Sequence, residues 1–289
     1  MSEPIQTARD EHSSVGMPAG AWDCHMHVFG PFDRFPVGGT GAYALPDADR
    51  NRHASTLAAL GFAHALLIQP SPYGTDQAAM LDAIARSEGR FIGIGSCDPA
   101  TSAETLASLR AQGIAGLRFV AMTGPGGGAY PGTQGLEAWA AMRARMADAG
   151  LHAQLWADGD TCAELAHGAA ARGETLVLDH LAGLDPGDRP GSARFDRLAE
   201  ALASGFVWIK LTWFRRSRLA GDYSDMEATV RALAECAPER VLWGSDWPFV
   251  RVDTPPDPAM LIGQLHSWLG SEGFARCLVT NPASLLGRA

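Results

Sequence analysis

The sequence predicts an α/β protein folded as a single (β/α)8 barrel. Eight short apolar segments, typical of buried parallel strands, alternate with segments of helical pattern along the 289 residues. Histidine, aspartate and arginine residues occur at the carboxyl ends of several of these strands, where a barrel places its functional groups. The length alone would also allow two domains, but the regular alternation favours one barrel.

The elements follow one another without an internal repeat. The predicted strands cover residues 21–29, 63–69, 91–96, 114–119, 151–156, 175–180, 206–212 and 240–246. The predicted helices cover residues 50–60, 75–87, 102–112, 135–150, 160–172, 194–204, 225–237, 258–269 and 272–277, with a last turn near 281–286. Thr75 is a candidate N-cap of the second helix, and Gly150 is expected to end the fourth.

Two loops bear on function, and an open sheet is the alternative to the barrel. Residues 30–49, rich in Gly, Pro and aromatic side chains, form a long loop of the kind that is often functional. The loop Gly124–Gly128 lacks the Lys-Ser/Thr that follows in a phosphate-binding loop, so no nucleotide site is expected there. An open doubly wound sheet is the alternative fold, but it calls for a glycine-rich turn where this chain has histidines.

Composition limits the partners. The chain is 46% hydrophobic and 19% charged, with a net charge of −9, which disfavours nucleic acid and anionic membranes but allows a small anionic substrate. Five widely spaced cysteines without a Cys-x-x-Cys pair favour reduced thiols in the cytoplasm. Residues 1–20 are expected to form a disordered tail, and residues 21–289 the barrel domain. The sequence leaves the oligomeric state open, self-association included.

The first strand carries the strongest local signal, a His-x-His pair. On a regular strand, alternate residues share a face. We expect Asp23, His25 and His27 on one face of the strand, and Trp22, Cys24 and Met26 on the other. Two imidazoles on one face can bind a metal ion or together polarise one substrate atom. A barrel strand that merely contains two histidines is the structural alternative.

Three further observations favour a functional site. His180 ends the sixth predicted strand and Asp246 ends the eighth, so both are expected at the same barrel mouth as His25 and His27. A single polar residue at a strand end often only caps a loop, but four ionisable groups at one mouth indicate chemistry. Asp179 is expected to point to the opposite face from His180 and to be structural. Trp156, at the end of the fifth strand, is placed to contact a ligand.

These motifs resemble those of the amidohydrolase superfamily, and within it the 2-pyrone-4,6-dicarboxylate lactonases and related sugar-lactone hydrolases and isomerases. The matching stretches are Asp23-Cys24-His25-Met26-His27-Val28-Phe29-Gly30-Pro31, Asp179-His180, and Arg240-Val241-Leu242-Trp243-Gly244-Ser245-Asp246-Trp247-Pro248. The resemblance runs from about residue 21 to the Asn281-Pro282 turn. It implies a distorted (β/α)8 barrel and hydrolysis of a small anionic lactone.

The resemblance also implies roles for the predicted residues. Asp246 would act as general base, while His25, His27 and His180 would polarise the lactone carbonyl, either directly or through one divalent metal, zinc or manganese. In the metal-dependent case, the same four residues would be the ligands. A two-metal site is not expected, because this chain has Arg118 where such members carry a bridging Lys or Glu on strand four.

Substrate binding is likewise inferred from the resemblance. Arg118 matches an arginine that holds a substrate carboxylate, Arg216 approximately matches another, and Arg215 or Arg218 could take its place. Tyr43 and Ser71 fall where the family places hydroxyl groups. The chain departs from the lactonases after Phe119, where a further arginine is missing, and these departures leave the identity of the lactone open.

Three functions are therefore weighed. The first is a lactonase that opens a carboxylated lactone with Asp246-activated water. The second is a metal-dependent decarboxylase of the same superfamily, which would use the same four residues. The third is a non-catalytic barrel that binds a small anion, which would need the arginines but not Asp246.

Overall fold

The computed structural model describes residues 15–38 and 43–288 of the chain. Eight strands form one parallel sheet in the order of the sequence, and each strand is followed by a helix. The strands are β1 (Trp22–Met26), β2 (His64–Ile68), β3 (Phe91–Gly95), β4 (Ile114–Val120), β5 (His152–Trp156), β6 (Leu176–Leu178), β7 (Val207–Leu211) and β8 (Val241–Trp243). The predicted barrel is confirmed, and all eight predicted strands are present.

The helices also follow the prediction, with two differences. They are α1 (Arg50–Leu60), α2 (Ala78–Ala85), α3 (Ala103–Ala111), α4 (Leu136–Asp148), α5 (Gly159–Arg172), α6 (Ala193–Ala203), α7 (Glu227–Cys236), α8 (Pro258–Ala275) and α9 (Asn281–Leu286). Thr75 is not the cap of α2, because the helix begins at Ala78, whose N–H donates to Asp76. The two helices expected near the C-terminus are joined in α8 across a kink at Gly270. No described helix is long and apolar enough to cross a membrane.

The strands divide their side chains between the barrel interior and the surrounding helices. Gln154 pairs with Val177, and Val177 with Trp208, so these three side chains share the interior face. The lower interior is filled by an apolar cluster of Trp22, Cys24, Leu66, Ile68, Ile92, Ile94, Ala115, Val177, Trp208 and Leu242. A larger apolar core lies between the outer face of the strands and the helices. This packing leaves the carboxyl end of the interior for polar groups.

Strand β1 departs from regular alternation, which corrects one prediction. Trp22 and Cys24 do not face the helices but belong to the interior cluster. The pairing of β1 with β2 shifts register between Asp23 and Met26. Because of this irregularity, His25 follows Cys24 on the interior side, whereas a regular strand would have turned one of them outward.

Asp23 consequently does not share the face of the histidines. Its buried carboxylate accepts hydrogen bonds from the backbone N–H groups of His25 (3.1 Å) and Ser245 (2.9 Å). Burial raises the pKa of Asp23 to about 7, against the lowering effect of the hydrogen bonds from Ser245 and His25. The role of Asp23 is therefore to link β1 to the segment that follows β8.

The barrel closes just beyond the end of β8. The N–H of Asp246 donates to the carbonyl oxygen of His25 at 2.8 Å, and the N–H of His27 donates to that of Trp247 at 2.9 Å. These two hydrogen bonds continue the parallel pairing that the three-residue strand β8 does not itself provide. Closure therefore places the segment containing Asp246 directly against the His-x-His segment.

Replacing Gly244 with Ala is expected to disrupt this closure. A Cβ atom at position 244 would overlap the Cβ of His25 and would lie 2.7 Å from its backbone nitrogen, so β1 and β8 would have to separate. Overpacking of this kind costs about 3 kcal/mol, which lowers Tm by roughly 5 °C or more in a protein of this size. Thermal unfolding followed by circular dichroism measures the effect. Gly187→Ala is the matched control, since nothing lies within 4 Å of its added Cβ; equal Tm values for the two variants would contradict the prediction.

The N-terminal segment is only partly described. Residues 1–14 of the predicted tail lie outside the described residues. Val15 and Met17, which follow, pack against the core between strands and helices. The domain boundary at residue 21 stays a prediction.

Candidate active site

The four residues predicted to be catalytic lie together at the carboxyl-terminal mouth of the barrel. Asp246 Oδ1 lies 3.2 Å from His27 Nε2 and 3.5 Å from His25 Nε2. The rings of His25 and His180 are 4.9 Å apart between centroids. All four side chains are buried. The arrangement depends on strands β1, β6 and β8, whose ends the closed barrel brings to one point.

Asp246 is held from several sides. Arg215 Nε donates to its Oδ2 at 2.5 Å, while its Oδ1 faces the two histidines of β1. Burial alone would raise the pKa of Asp246, but the Arg215 guanidinium and the surrounding histidines together outweigh burial, and the pKa lies well below its usual value. The carboxylate is therefore ionised over the whole neutral pH range. Asp246 can therefore act as a base toward a water molecule or another group that is in direct contact with it.

The backbone is strained where two of these side chains leave the strands. His180 has φ 49° and Asp246 has φ 57°, both in the left-handed region that non-glycine residues avoid. Each such residue costs about 1–3 kcal/mol, and such residues cluster at functional sites because the strain aims a side chain. Here the turn directs both side chains into the barrel mouth at the point where regular strand pairing ends.

His27 and His180 differ in the hydrogen bonding of their Nδ1 atoms. His27 Nδ1 lies 2.8 Å from the carbonyl oxygen of Ile68, which can only accept, so this nitrogen carries the hydrogen. His180 Nδ1 is buried and has no hydrogen-bonding partner among the described residues. Burial lowers the pKa of His180 to about 4, so its ring is neutral near pH 7.

A buried charged layer lies directly beneath the mouth, and it corrects a second prediction. Asp179 does not point to the outer face but lies inside the barrel, with Oδ1 3.0 Å from Lys210 Nζ and 3.4 Å from His25 Nδ1. Arg118 Nε donates to Asp179 Oδ2 at 3.2 Å. Burial raises the pKa of Asp179, but Lys210, His25 and Arg118 outweigh it, so the pKa is well below its usual value. Asp179 is therefore an ionised centre that links Lys210, Arg118 and His25.

Lys210 was not predicted to belong to the site. It is fully buried in β7, and burial lowers its pKa whereas the ion pair with Asp179 raises it. The available signal was a lone lysine within the apolar segment Phe206–Thr212, two residues after Trp208 and so on the same face of the strand. A lysine in such a position is rarely buried without a partner, and it therefore indicates a buried carboxylate.

Above the four residues lies a cavity of about 200 Å³, large enough for a small ring with acidic substituents. All five residues predicted to bind substrate line it. These are Tyr43, Ser71, Arg118, Trp156 and Arg216. Burial raises the pKa of Tyr43 to about 12, so its hydroxyl group stays protonated and can donate. The Arg118 guanidinium lies over the Trp156 ring at 5.5 Å, which fixes its plane toward the cavity.

The three arginines that follow β7 have different surroundings. Arg215 holds Asp246, and its Nη1 also donates to the carbonyl oxygen of Val250 at 2.9 Å. Arg216 lines the cavity while its Nη2 contacts the Asp185 carboxylate at 2.6 Å. Arg218 is exposed and is not part of the lining. Of these three arginines, only Arg215 and Arg216 therefore line the cavity.

Several lining residues escaped the sequence interpretation, among them Tyr130 and Arg251. Thr123 pairs with Ala129, so the glycine-rich loop turns back as a hairpin and delivers Tyr130 to the cavity wall. The Arg251 Nη1 group donates to the Tyr130 hydroxyl group at 2.7 Å, across the mouth of the cavity. Among the described residues Arg251 has no carboxylate partner, so its charge adds to the positive potential of the cavity. No local pattern predicts this pair, since its members are far apart in sequence.

The donor atoms fit one divalent metal ion. His25, His180 and Asp246 each offer a ligand atom, and these atoms lie within 4.8 Å of one another. His25 Nε2 and His180 Nδ1 are buried nitrogens without a partner in the part of the chain that the structure describes. Imidazole nitrogens and a carboxylate are ligands that zinc and manganese accept. His27 Nε2 faces the same Asp246 oxygen and could serve as a further ligand.

Comparison with known proteins identifies relatives over nearly the whole chain. The amidohydrolase family model matches residues 22–288. A 4-sulfomuconolactone hydrolase of Hydrogenophaga intermedia is 31% identical over 287 residues, covering 94% of this chain and 90% of that protein. A 2-pyrone-4,6-dicarboxylate hydrolase of Comamonas testosteroni is 29% identical over 287 residues, covering 93% and 90%. An apo crystal structure of an Agrobacterium tumefaciens protein superposes with a TM-score of 0.83 at 26% identity, covering 94% and 97%.

The resemblance inferred from the motifs is thus confirmed over nearly the whole chain. The family match begins at Trp22, the first residue of β1, and includes every strand that contributes to the site. Both named relatives act on lactones that carry acidic groups, in line with the predicted hydrolase. The chain belongs to the amidohydrolase family.

Proposed function

We propose that this protein hydrolyses a small lactone that carries at least one carboxylate or comparable anionic group. The observation that carries the proposal is the carboxyl group of Asp246, set against the imidazoles of three histidines at the floor of an arginine-lined cavity. A base and several groups able to polarise a carbonyl are the two requirements for water to attack an ester. Relatives named as lactone hydrolases support the substrate class.

In the proposed reaction each group has its own task. Asp246 accepts a proton from the water molecule that attacks the lactone carbonyl carbon. The ring C–O bond then breaks, and the proton passes to the departing ring oxygen, which becomes a hydroxyl or its keto form. The carboxylic acid formed at the same time releases its proton to solvent and becomes a carboxylate. The histidines stabilise the negative charge that develops on the carbonyl oxygen. Arg118 and Arg251 bind the anionic substituents and thereby orient the ring.

A divalent metal is compatible with this arrangement. His25, His180 and Asp246 would hold it, with His27 adjacent. When bound, zinc or manganese would supply Lewis-acid polarisation of the carbonyl oxygen. The chain's own groups keep their tasks, because Asp246 still faces the cavity and the arginines still select the anion.

The proposal is tested with a panel of lactones bearing no, one or two carboxylates. Because a charged hydrogen bond contributes about 1.5–3 kcal/mol, kcat/KM for carboxylated lactones is expected to exceed that for a neutral lactone by about 100-fold. Ring opening is followed by titration of the acid released, together with measurement of carbon dioxide. Carbon dioxide formed at the rate of turnover would instead support the decarboxylase. Tight anion binding without conversion at any pH would support the non-catalytic barrel.

Two expectations about the surroundings stay predictions. All five cysteines are free, and four of them are buried, which agrees with reduced thiols in a cytoplasmic protein. Self-association is consistent with the proposed activity but is not required by it, because every group named in the site comes from one chain.

A further inference from the structure

The buried amine of Lys210 lies directly under His25. The hydrogen bonds of this amine bear on which nitrogen of the His25 ring carries the hydrogen. Lys210 Nζ is aligned to donate to Gln154 Oε1 at 2.5 Å and to His25 Nδ1 at 3.4 Å. It also forms the ion pair with Asp179 at 3.0 Å. Both side chains of that ion pair are fully buried, and so is His25.

The direction of the contact with His25 follows from the chemistry of the two groups. A lysine ammonium has only donors, so the ring nitrogen that it contacts must accept. Asp179 Oδ1 also lies 3.4 Å from this nitrogen, but its shorter contact, at 3.0 Å, is with Lys210 Nζ. If His25 Nδ1 carried a hydrogen, two donors would face each other in a fully buried site. The contact therefore favours His25 Nδ1 without a hydrogen.

A neutral imidazole that lacks the hydrogen at Nδ1 must carry it at Nε2. His25 Nε2 points into the active site, has no hydrogen-bonding partner among the described residues, and lies 3.5 Å from Asp246 Oδ1. In this tautomer it offers an N–H group to an incoming oxygen atom, and Nε2 could serve as a metal ligand only after the hydrogen had moved to Nδ1. The neighbouring His27 is held the opposite way, because its Nδ1 donates to Ile68.

We propose that Lys210 is a positioning residue that holds His25 in the Nε2–H tautomer, so that His25 is a hydrogen-bond donor to the reacting carbonyl oxygen. Its catalytic consequence rests on the proposed lactone hydrolysis, but the tautomer itself does not. A second consequence concerns metals. Without Lys210, Asp179 becomes the natural acceptor for His25 Nδ1–H, which frees Nε2 as a ligand in the carboxylate–histidine–metal arrangement common in metal sites.

The tautomer is read directly by NMR of the full chain labelled with ¹⁵N-histidine, prepared free of metal at neutral pH. Long-range ¹H–¹⁵N correlations distinguish protonated from unprotonated ring nitrogens, and His25→Gln and His27→Gln variants assign the two signals. The expected wild-type result is Nε2–H for His25, with Nδ1–H for His27 as an internal reference. A His25 signal with Nδ1–H would overturn the proposal, and this outcome needs no Lys210 variant to fold.

The variant Lys210→Met supplies the second measurement. It keeps the length of the side chain but removes the donor, so His25 is expected to change to the Nδ1–H tautomer. Zinc and manganese titrations should then show binding at least about 10-fold tighter than to the wild type, since groups around a metal ligand commonly change affinity 10–100-fold. Equal or weaker binding by a folded variant, together with an unchanged tautomer, would also overturn the proposal.

These measurements separate this proposal from the proposed function. A protein that opens no lactone but shows His25 as Nε2–H would overturn the proposed function and leave the role of Lys210 intact. A protein that opens lactones but whose His25 carries its hydrogen at Nδ1 would support the proposed function and overturn the role of Lys210. Arg218→Met, an exposed change outside the cavity, is the control that should alter neither the tautomer nor the metal affinity.

Discussion

Replacing Asp246 with Asn is expected to lower kcat for lactone opening by about 10³-fold or more while leaving the protein folded. The amide has the same shape as the carboxylate and can still form a hydrogen bond with His27 Nε2, but it cannot take a proton from water. General base catalysis contributes about 10²–10⁴-fold, and loss of the charge opposite the histidines adds to this. Steady-state kinetics on the preferred lactone of the substrate panel measures the effect.

The control for this variant lies in the same segment of chain. Asp253→Asn changes an exposed carboxylate seven residues later and should retain the wild-type rate. Thermal unfolding of both variants shows whether the fold is kept, because the Asp246→Asn change removes the ion pair with Arg215. A folded Asp246→Asn variant with more than a tenth of the wild-type kcat would exclude Asp246 as the base.

The same prediction has a consequence for the pH profile. Arg215 and the surrounding histidines together hold the pKa of Asp246 well below its usual value despite burial, and burial lowers the pKa of His180 to about 4. Both groups are therefore already deprotonated at pH 5, and neither should produce a loss of kcat/KM as the pH falls from 7 to 5. An acidic limb in this range that disappears in the Asp246→Asn variant would contradict the assignment of a strongly acidic Asp246.

Replacing Arg118 with Met is expected to raise KM for a carboxylated lactone by about 30–100-fold. The guanidinium lies in the cavity wall over Trp156, and its loss removes a charged hydrogen bond worth about 2–3 kcal/mol. A neutral lactone has no anion to bind, so its kcat/KM should change far less. The comparison of the two substrates isolates the anion contact from any general disturbance of the site.

Two variants make this test specific. Arg218→Met removes the same charge from an exposed position after β7 and should leave both substrates unaffected. Arg118→Lys keeps the charge but loses the planar two-bond geometry, and it should recover only part of the binding. Since Arg118 also donates to Asp179, Tm is measured for each variant. An equal loss with charged and neutral lactones would show that Arg118 serves the buried layer and not the substrate.

Much of the architecture could be predicted because it depends on local pattern. Short apolar segments with turn residues between them predict strands regardless of their partners, and their alternation with helices predicts the parallel barrel. A barrel in turn places the end of every strand at one mouth, so His25, His27, His180 and Asp246 could be brought together without any coordinates. The sequence by itself therefore determined the fold class, the position of the site and its main chemical groups.

Only the tertiary structure decided how those groups are oriented and what lies beneath them. The irregularity in β1 turns Asp23 away from the histidines, and the closed interior turns Asp179 inward, although strict alternation predicted otherwise. Side-chain direction in a barrel is set by the register between neighbouring strands and by how the barrel closes, and both depend on contacts between distant residues.

The same reason explains the residues that were missed. Lys210 contacts His25 across 185 positions of sequence, and Arg251 contacts Tyr130 across 121. No pattern within either segment encodes such a pair, because each partner is supplied by another strand or loop. The hydrogen positions on His25 and His27 depend on these partners, so the chemistry of the His-x-His pair is decided by the packing around it and not by the motif.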